Sequence, residues 1–435
     1  MKVSAQFADQ LLTLTVDPSS EDIDFGLSKK GKIYRRQAEF AVPSGFNVSS
    51  IHPDALCLLA LLVYGPFSKN LFETSWSVSP EFSEAVLHNL KRHCPTVSKY
   101  ISPRDIPFSG RDALAFSGGV DSVAALELVG ENALPVFMRR ITPPGERIGL
   151  YRDDAALLSC ETVRKSGREI SVVDTTMEYA REPVGFSVDW TNAAGAILLS
   201  DEKHIRSVSF GMVQESAFYI GHSHFSDLRR RSVYSSWAPL FEAVGVPISL
   251  PTSGLSEVVT SKIANRVAEK WFSQSCVRGA ATEPCGRCFK CFRKKILDAR
   301  LSGSYMPAEH FEIAKSSNEV KRRLLEVPIH HENVLGFSLH GLNTGQSEIF
   351  ETLVQKTSPI VQYGENLDCL EKFNPRGLEY IPEFMRDAVH KRIMEFAGNL
   401  TADNLKIIEN WETMHLTKTV EYWSAQDRLL ALLNE

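Results

Sequence analysis

From residue 112 onward the chain reads as an α/β protein. A parallel sheet with helices on both faces is flanked by an α+β region at 1–109 and a mainly helical region at 301–435. Three observations predict this. Short apolar runs alternate with helical patterns through the middle of the chain, as parallel strands joined by crossover helices do. One run, Leu114-Ala115-Phe116, leads straight into the turn Ser117-Gly118-Gly119-Val120-Asp121-Ser122, which opens a helix. The 435 residues also exceed one typical core, so two or three domains are expected, divided as 1–109, 110–300 and 301–435.

The elements follow in order. Residues 1–109 hold the strand-like pieces VSAQFA, LLTLTV and QAEFAV and an apolar helix around 53–65. A second helix, around 80–93, carries Phe82, Val86, Leu87 and Leu90 on one side. Ser102-Pro103-Arg104-Asp105-Ile106-Pro107 reads as a linker. The core then alternates ALAF, a helix at 120–129, LPVFM, a helix near 151–166, ISVVD, a helix near 190–201 and SVSFG. In such a sheet ligands sit at the carboxyl ends of the strands. A helix at 256–272 places Val259, Ile263, Val267 and Trp271 at steps of four, with Ser256 as N-cap; the stripe reads as core packing. Beyond 300, EYIPEFMRDAVHKRIMEF and TVEYWSAQDRLLALL are helical.

Composition narrows the classes. A net charge of −5 with 43% hydrophobic residues describes a soluble globular protein, and a nucleic acid is not expected as direct substrate. The longest apolar run, ALCLLALLVYG, is too short to span a bilayer, so no membrane partner is expected. MKVSAQFADQ lacks the apolar core of a signal peptide, which makes the cytoplasm the default and suits reduced thiols.

A strand that ends in a Gly-rich turn and opens a helix aims successive N–H groups at one point, and the helix dipole adds to the concavity. Gly118 and Gly119 permit the angles and close approach that a Cβ forbids. Ser117 and Ser122 add hydroxyls, Val120 opens the helix, and Asp121 can hold Mg²⁺ against phosphate oxygens. The turn reads as a pyrophosphate cradle; GxxxxGK[ST] is absent and no Lys lies in it. Downstream, Cys276, Cys285, Cys288 and Cys291 supply four thiols, three of them at CxxCxxC spacing, able to converge on one tetrahedral ion at roughly 2.3 Å. Arg287, Lys290, Arg293 and Lys294 offset the charge of a tetrathiolate. Disulfides are not expected, because Cys57, Cys94, Cys160 and Cys369 are scattered. Structural Zn²⁺ is favoured, and an iron–sulfur cluster is the alternative. His222 and His224 read as surface or packed histidines rather than ligands.

The hexapeptide resembles the PP-loop of ATP pyrophosphatases of the adenine nucleotide α-hydrolase type, which cleave ATP between the α- and β-phosphates and transfer AMP to an oxygen. SGGVDS followed by Cys-x8-CGxCxxC resembles the 7-cyano-7-deazaguanine synthases, over roughly residues 110–300. The long flanks resemble enlarged relatives from anti-phage defence operons, some of which attach a deazaguanine to a partner protein. The resemblance implies ATP, Mg²⁺ and structural Zn²⁺. It implies an AMP-forming carbon–nitrogen ligase acting on a small deazapurine carboxylate, 7-carboxy-7-deazaguanine, with a protein amine from the same operon as acceptor. A synthase using ammonia and a nucleotide-binding regulatory subunit without turnover are the alternatives; the flanks can also be read as a homodimer interface.

The resemblance also suggests roles for single residues. Asn192 stands where the synthases have an Asn after their third strand, or is a plain cap. Asp227-Leu228-Arg229 is similar to their Asp-Cys-Arg segment beside the nucleobase. Arg139 and Arg140 end the second core strand, either facing phosphate or a substrate carboxylate or lying in solvent. Two departures stand out. Phe137-Met138-Arg139-Arg140 replaces the Tyr-Gly-Gln segment, and Glu257 falls where the family carries a Lys, leaving Lys262 or an arginine as the substitute cation.

Overall fold

The computed structural model describes residues 1–435 except Lys29, Lys30, Ile148, Leu150, His222 and Glu435, and except the side chains of residues 26–28 and Val48. His222 therefore lies outside the described residues. Period-2 alternation builds the first strands. In β2 (Leu11–Asp17), Leu12, Leu14 and Val16 are buried and the residues between them are not. This strand pairs antiparallel with β1 (Lys2–Ala8) and with β3 (Gln37–Ala41), and the two-residue β4 (Glu73–Thr74) lies parallel to β1. The core strands β5 (Arg111–Phe116), β6 (Leu134–Arg140), β7 (Ser171–Thr175) and β8 (Ile205–Ser209) have no exposed residue, as expected of parallel strands covered on both faces. A short β9 (Ile248–Ser249) closes the far edge.

These nine strands join one sheet, in the order β9-β8-β5-β6-β7-β3-β2-β1-β4, and a separate antiparallel pair joins Lys32–Ile33 to Arg181–Glu182. The pairs from β9 to β7 are parallel, and β3 joins β7 antiparallel through Phe40 opposite Thr175 and Ala41 opposite Asp174. The sheet thus runs unbroken across the boundary expected near 110. The apolar helix Pro53–Tyr64 is buried along almost its whole length, in one cluster with Val136, Val173 and Ile197 of the core and Trp411 of the C-terminal region.

The expected linker at 102–107 is pinned instead. Arg104 is buried and donates to the carbonyls of Ser200, Ile205, Val244 and Gly245 at 3.0–3.1 Å, and to Asp201 Oδ1 at 2.7 Å. The guanidinium fork collects carbonyls at the start of β8 and after the helix Ala238–Ala243. Arg104→Ala removes the ion pair to Asp201 and a donor shared by four carbonyls, and is expected to cost about 3–5 kcal/mol in urea unfolding.

Beyond residue 300 the chain is mainly helical. The helix Glu383–Ile393 packs Met385, Val389 and Ile393 on Ala124 and Leu128 of the helix Val120–Val129 and on Val259 and Ile263 of the helix Glu257–Arg266. The latter is shorter than the expected 256–272: Ser256 caps it, accepting from the N–H groups of Val258 and Val259, but Val267 and Trp271 lie beyond it. Side chains of the helix Asp154–Lys165 and the turn after it compete for the backbone there. Ser159 donates to the Phe272 carbonyl, Thr162 accepts from its N–H, and Ser166 accepts from the Trp271 indole. No helix among the described residues is long and apolar enough to cross a membrane.

Candidate functional site

The turn 117–122 lies at the carboxyl end of β5, in the middle of the parallel strands. Its hydroxyls brace it internally. Ser122 Oγ donates to the Gly119 carbonyl at 3.0 Å and accepts from the Ser117 N–H and hydroxyl at 3.2–3.3 Å. Gly118 has φ +71°, and a Cβ there would approach Ala156 Cα to 2.9 Å, so both conformation and packing require glycine. Gly119 caps the helix Val120–Val129 without any side-chain hydrogen bond, which leaves the N–H groups of the first turn facing the strand ends.

Three residues absent from the sequence reading complete this geometry. Thr260 Oγ1 donates to Asp121 Oδ1 at 2.7 Å and fixes the carboxylate from the neighbouring helix. Gln274 donates its N–H to the Gly118 carbonyl at 3.1 Å, and its side-chain amide donates to Cys276 O and Ala280 O, tying the turn to the cysteine segment. Gly211, just after β8, lies so close that a Cβ would meet the Asp121 carbonyl at 2.6 Å. The only sequence signal for any of them is the glycine ending SVSFG.

The cations fall into place differently. Arg139 turns to Asp153 (2.7 Å) and Asp174 (3.8 Å). Arg140 pairs with Glu178 at 3.4 Å and lies over the rings of Tyr151 and Phe186. Arg140 and Asn192 line a cleft of about 90 Å³ together with Ser117 and Gly119. Lys262 pairs with Glu371 and does not line that cleft. Asp227 and Arg229 lie apart from it too. Asp227 accepts from Tyr380 Oη at 2.5 Å and from Arg229 at 3.0 Å, and Arg229 also pairs with Glu379. Burial opposes ionisation of Asp227, but the bonds from Arg229 and Tyr380 outweigh it and hold the carboxyl below its ordinary value.

Glu257 is buried between Arg293 and Lys294, the latter at 2.8 Å. Burial alone would raise its pKa, yet these two charges hold it well below the carboxylate range. Behind it lies Glu215, fully buried, accepting the Glu257 N–H at 3.2 Å with its other oxygen unpartnered among the described residues. Burial first, then the charge of Glu257, pushes Glu215 from 4.5 up to about 8. An acid with a raised folded pKa holds its proton longer folded than unfolded. The stability it contributes is complete below about pH 4.5 and is lost as pH rises toward 8. Glu215→Gln cannot ionise, so its unfolding free energy is expected to fall less than that of the native chain between about pH 5 and 8.

The four cysteines converge: their sulfurs all lie within 4.8 Å of one another, with Cys285 and Cys291 3.8 Å apart. Bonds of ~2.3 Å to one tetrahedral ion give sulfur–sulfur edges of roughly 3.8 Å, so the set fits a single metal ion. The Cys285 N–H donates to Cys276 Sγ and the Cys291 N–H to Cys288 Sγ, at 3.3 and 3.4 Å. Cys288 also caps the helix Phe289–Ser302, so the metal site and the carrier of Arg293 and Lys294 are one unit.

No curated protein matches the chain. Among solved structures it is similar to the U34-tRNA thiolase NcsA from Methanococcus maripaludis with its 4Fe–4S cluster, at 14% identity over 59% of this chain and 78% of that one. The TM-score of 0.24 is too low for that likeness to bear on fold or chemistry. Residues 236–412, from the helix Ala238–Ala243 to a point short of the last helix, Val420–Leu432, match the model of a family of unknown function, DUF6395.

Proposed function

We propose that the chain is an ATP-dependent ligase that adenylates a carboxylate with release of pyrophosphate and then joins the acyl group to nitrogen. The observation that carries this reading is the glycine turn at the carboxyl end of a central parallel strand, with Asp121 held at its mouth by Thr260. A carboxylate oxygen attacks the α-phosphorus, the α–β bridging bond breaks, and pyrophosphate leaves. An amine then attacks the acyl carbon, AMP leaves, and the nitrogen loses a proton. Bound Mg²⁺ would neutralise phosphate charge during this exchange. Ser117, Gly118, Gly119 and Val120 orient the phosphates through backbone and hydroxyl groups, Ser122 keeps the turn in shape, and Asp121 holds the metal. Arg140, at the end of β6, and Asn192, on the short helix Asp189–Ala193, line the cleft that would hold the nucleotide.

Zn²⁺ is the ion we assign to the four thiolates, where it closes the fold and leaves no open position for chemistry. The carboxylate implied by the resemblance is 7-carboxy-7-deazaguanine, and the acceptor is the N-terminal amine of a partner protein in anti-phage defence. An α-amino group, with a pKa near ~8, is partly deprotonated at neutral pH, whereas a Lys near ~10.4 is not.

The test is to incubate the chain with ATP, Mg²⁺ and 7-carboxy-7-deazaguanine, with and without its operon's partner, and to weigh every product. AMP, pyrophosphate and a mass added to the partner are expected. ADP with phosphate would defeat the reading. Free nitrile made with ammonia would instead identify an ordinary synthase, and no ATP cleavage a regulatory subunit.

A further inference from the structure

The acid at position 257 poses a question of charge. A departing pyrophosphate carries several negative charges, and the cations near the turn are almost all committed. Arg139 is held by Asp153 and Asp174, Lys262 by Glu371, and Arg293 and Lys294 by Glu257. Among the described residues that line the cleft beside Ser117 and Gly119, the cations are Arg140 and Lys290. Arg140 is paired with Glu178 and stacked between two rings.

Lys290 is different. It is exposed, and no hydrogen bond, ion pair or ring contact engages it among the described residues. It also lines a second, larger cavity of about 570 Å³ on the other side of Gln274 and Ser275, where Val120 and Cys276 form part of the wall. That volume falls in the range of about 300–1,000 Å³ usual for small-molecule sites. Lys290 and Lys295 stand on this wall against one carboxylate, Asp298, so the lining favours an anion, while Lys294 on the same wall is already paired with Glu257. Lys290 therefore stands at the junction of the nucleotide cleft and an adjoining cavity with room for a second substrate. Its place is set by metal ligation: it sits between Cys288 and Cys291, on the first turn of the helix that Cys288 caps.

We infer that Lys290 is the phosphate-side cation of this site, its ammonium contacting the α- and β-phosphate oxygens from the wall shared with the cavity that receives the carboxylate. This deepens the adenylation reading and rests on it. The four-cysteine centre then has a second use, since it fixes the backbone from which the ammonium reaches. The competing role for Lys290 is to offset thiolate charge at the metal.

The experiment compares the full-length, metal-loaded chain with Lys290→Ala and Lys290→Arg. Pyrophosphate with Mg²⁺ is titrated by calorimetry, and ATP-dependent pyrophosphate release is measured alongside. Lys290→Ala is expected to bind pyrophosphate about tenfold more weakly and to lower the release rate about 10²–10³-fold, with metal content and thermal midpoint unchanged. Lys290→Arg is expected to recover part of both. Unchanged pyrophosphate affinity in Lys290→Ala, or loss of metal and stability in proportion to activity, overturns the inference. If the native chain binds pyrophosphate through Lys290 yet releases none from ATP, the cation site stands and the ligase reading falls.

Discussion

Cys288→Ser is expected to yield a chain that is largely insoluble, or that unfolds far below the native one, and that retains no stoichiometric metal. The residue is at once a member of the sulfur cluster and the cap of the helix Phe289–Ser302. That helix brings Arg293 and Lys294 to the buried carboxylate of Glu257, so loosening its start also exposes an ion pair that holds two helices together. Structural zinc contributes on the order of 10–16 kcal/mol of apparent binding free energy in small domains, which binding shares with folding. A domain of ordinary stability, about 5–15 kcal/mol, does not survive the loss of much of that. Elemental analysis of the native chain should return one zinc. Iron with a brown chromophore, or folded protein with no metal, would overturn the assignment of the ion.

Asp121→Ala is expected to behave in the opposite way, with the fold kept and the chemistry lost. Asp121 is only partly buried and, among the described residues, its carboxylate is hydrogen-bonded by Thr260, so its removal deletes no apolar core packing. Loss of one group aimed at developing charge costs about 10²–10³-fold in rate. Unfolding curves should superimpose on those of the native chain while AMP formation falls by that factor at saturating ATP and Mg²⁺. A normal rate would remove Asp121 from the site, and a large drop in stability would make it a structural residue of the turn.

Much of the fold was open to inspection in the residues themselves. The strands at 111–116, 134–140, 171–175 and 205–209 and the helix from Val120 follow from apolar runs and a glycine turn, which are local signals. Ser256 as a cap and the CxxCxxC spacing are local in the same sense: backbone geometry over a few residues decides them. The end of the helix after Arg266 was not legible, because the segment that follows it is held by groups about a hundred residues away in sequence: Ser159 and Thr162 bond the backbone of Phe272, and Ser166 accepts from the Trp271 indole.

The sequence by itself determined the α/β class, the glycine turn at a strand end and the four-thiol cluster, because each rests on periodicity or spacing within a short stretch. Tertiary structure decided what those stretches face. It joined β3 to β7 and so made the first strands part of the central sheet. It gave Asp121 its partner Thr260 across 139 residues, set Glu257 between Arg293 and Lys294, and sent Lys262 to Glu371. It put Lys290 beside the turn with no side-chain partner among the described residues. Charges and hydrogen-bonding groups carry no periodicity that names their partners; burial does, since a buried polar group must find whichever complement the packed chain brings within reach.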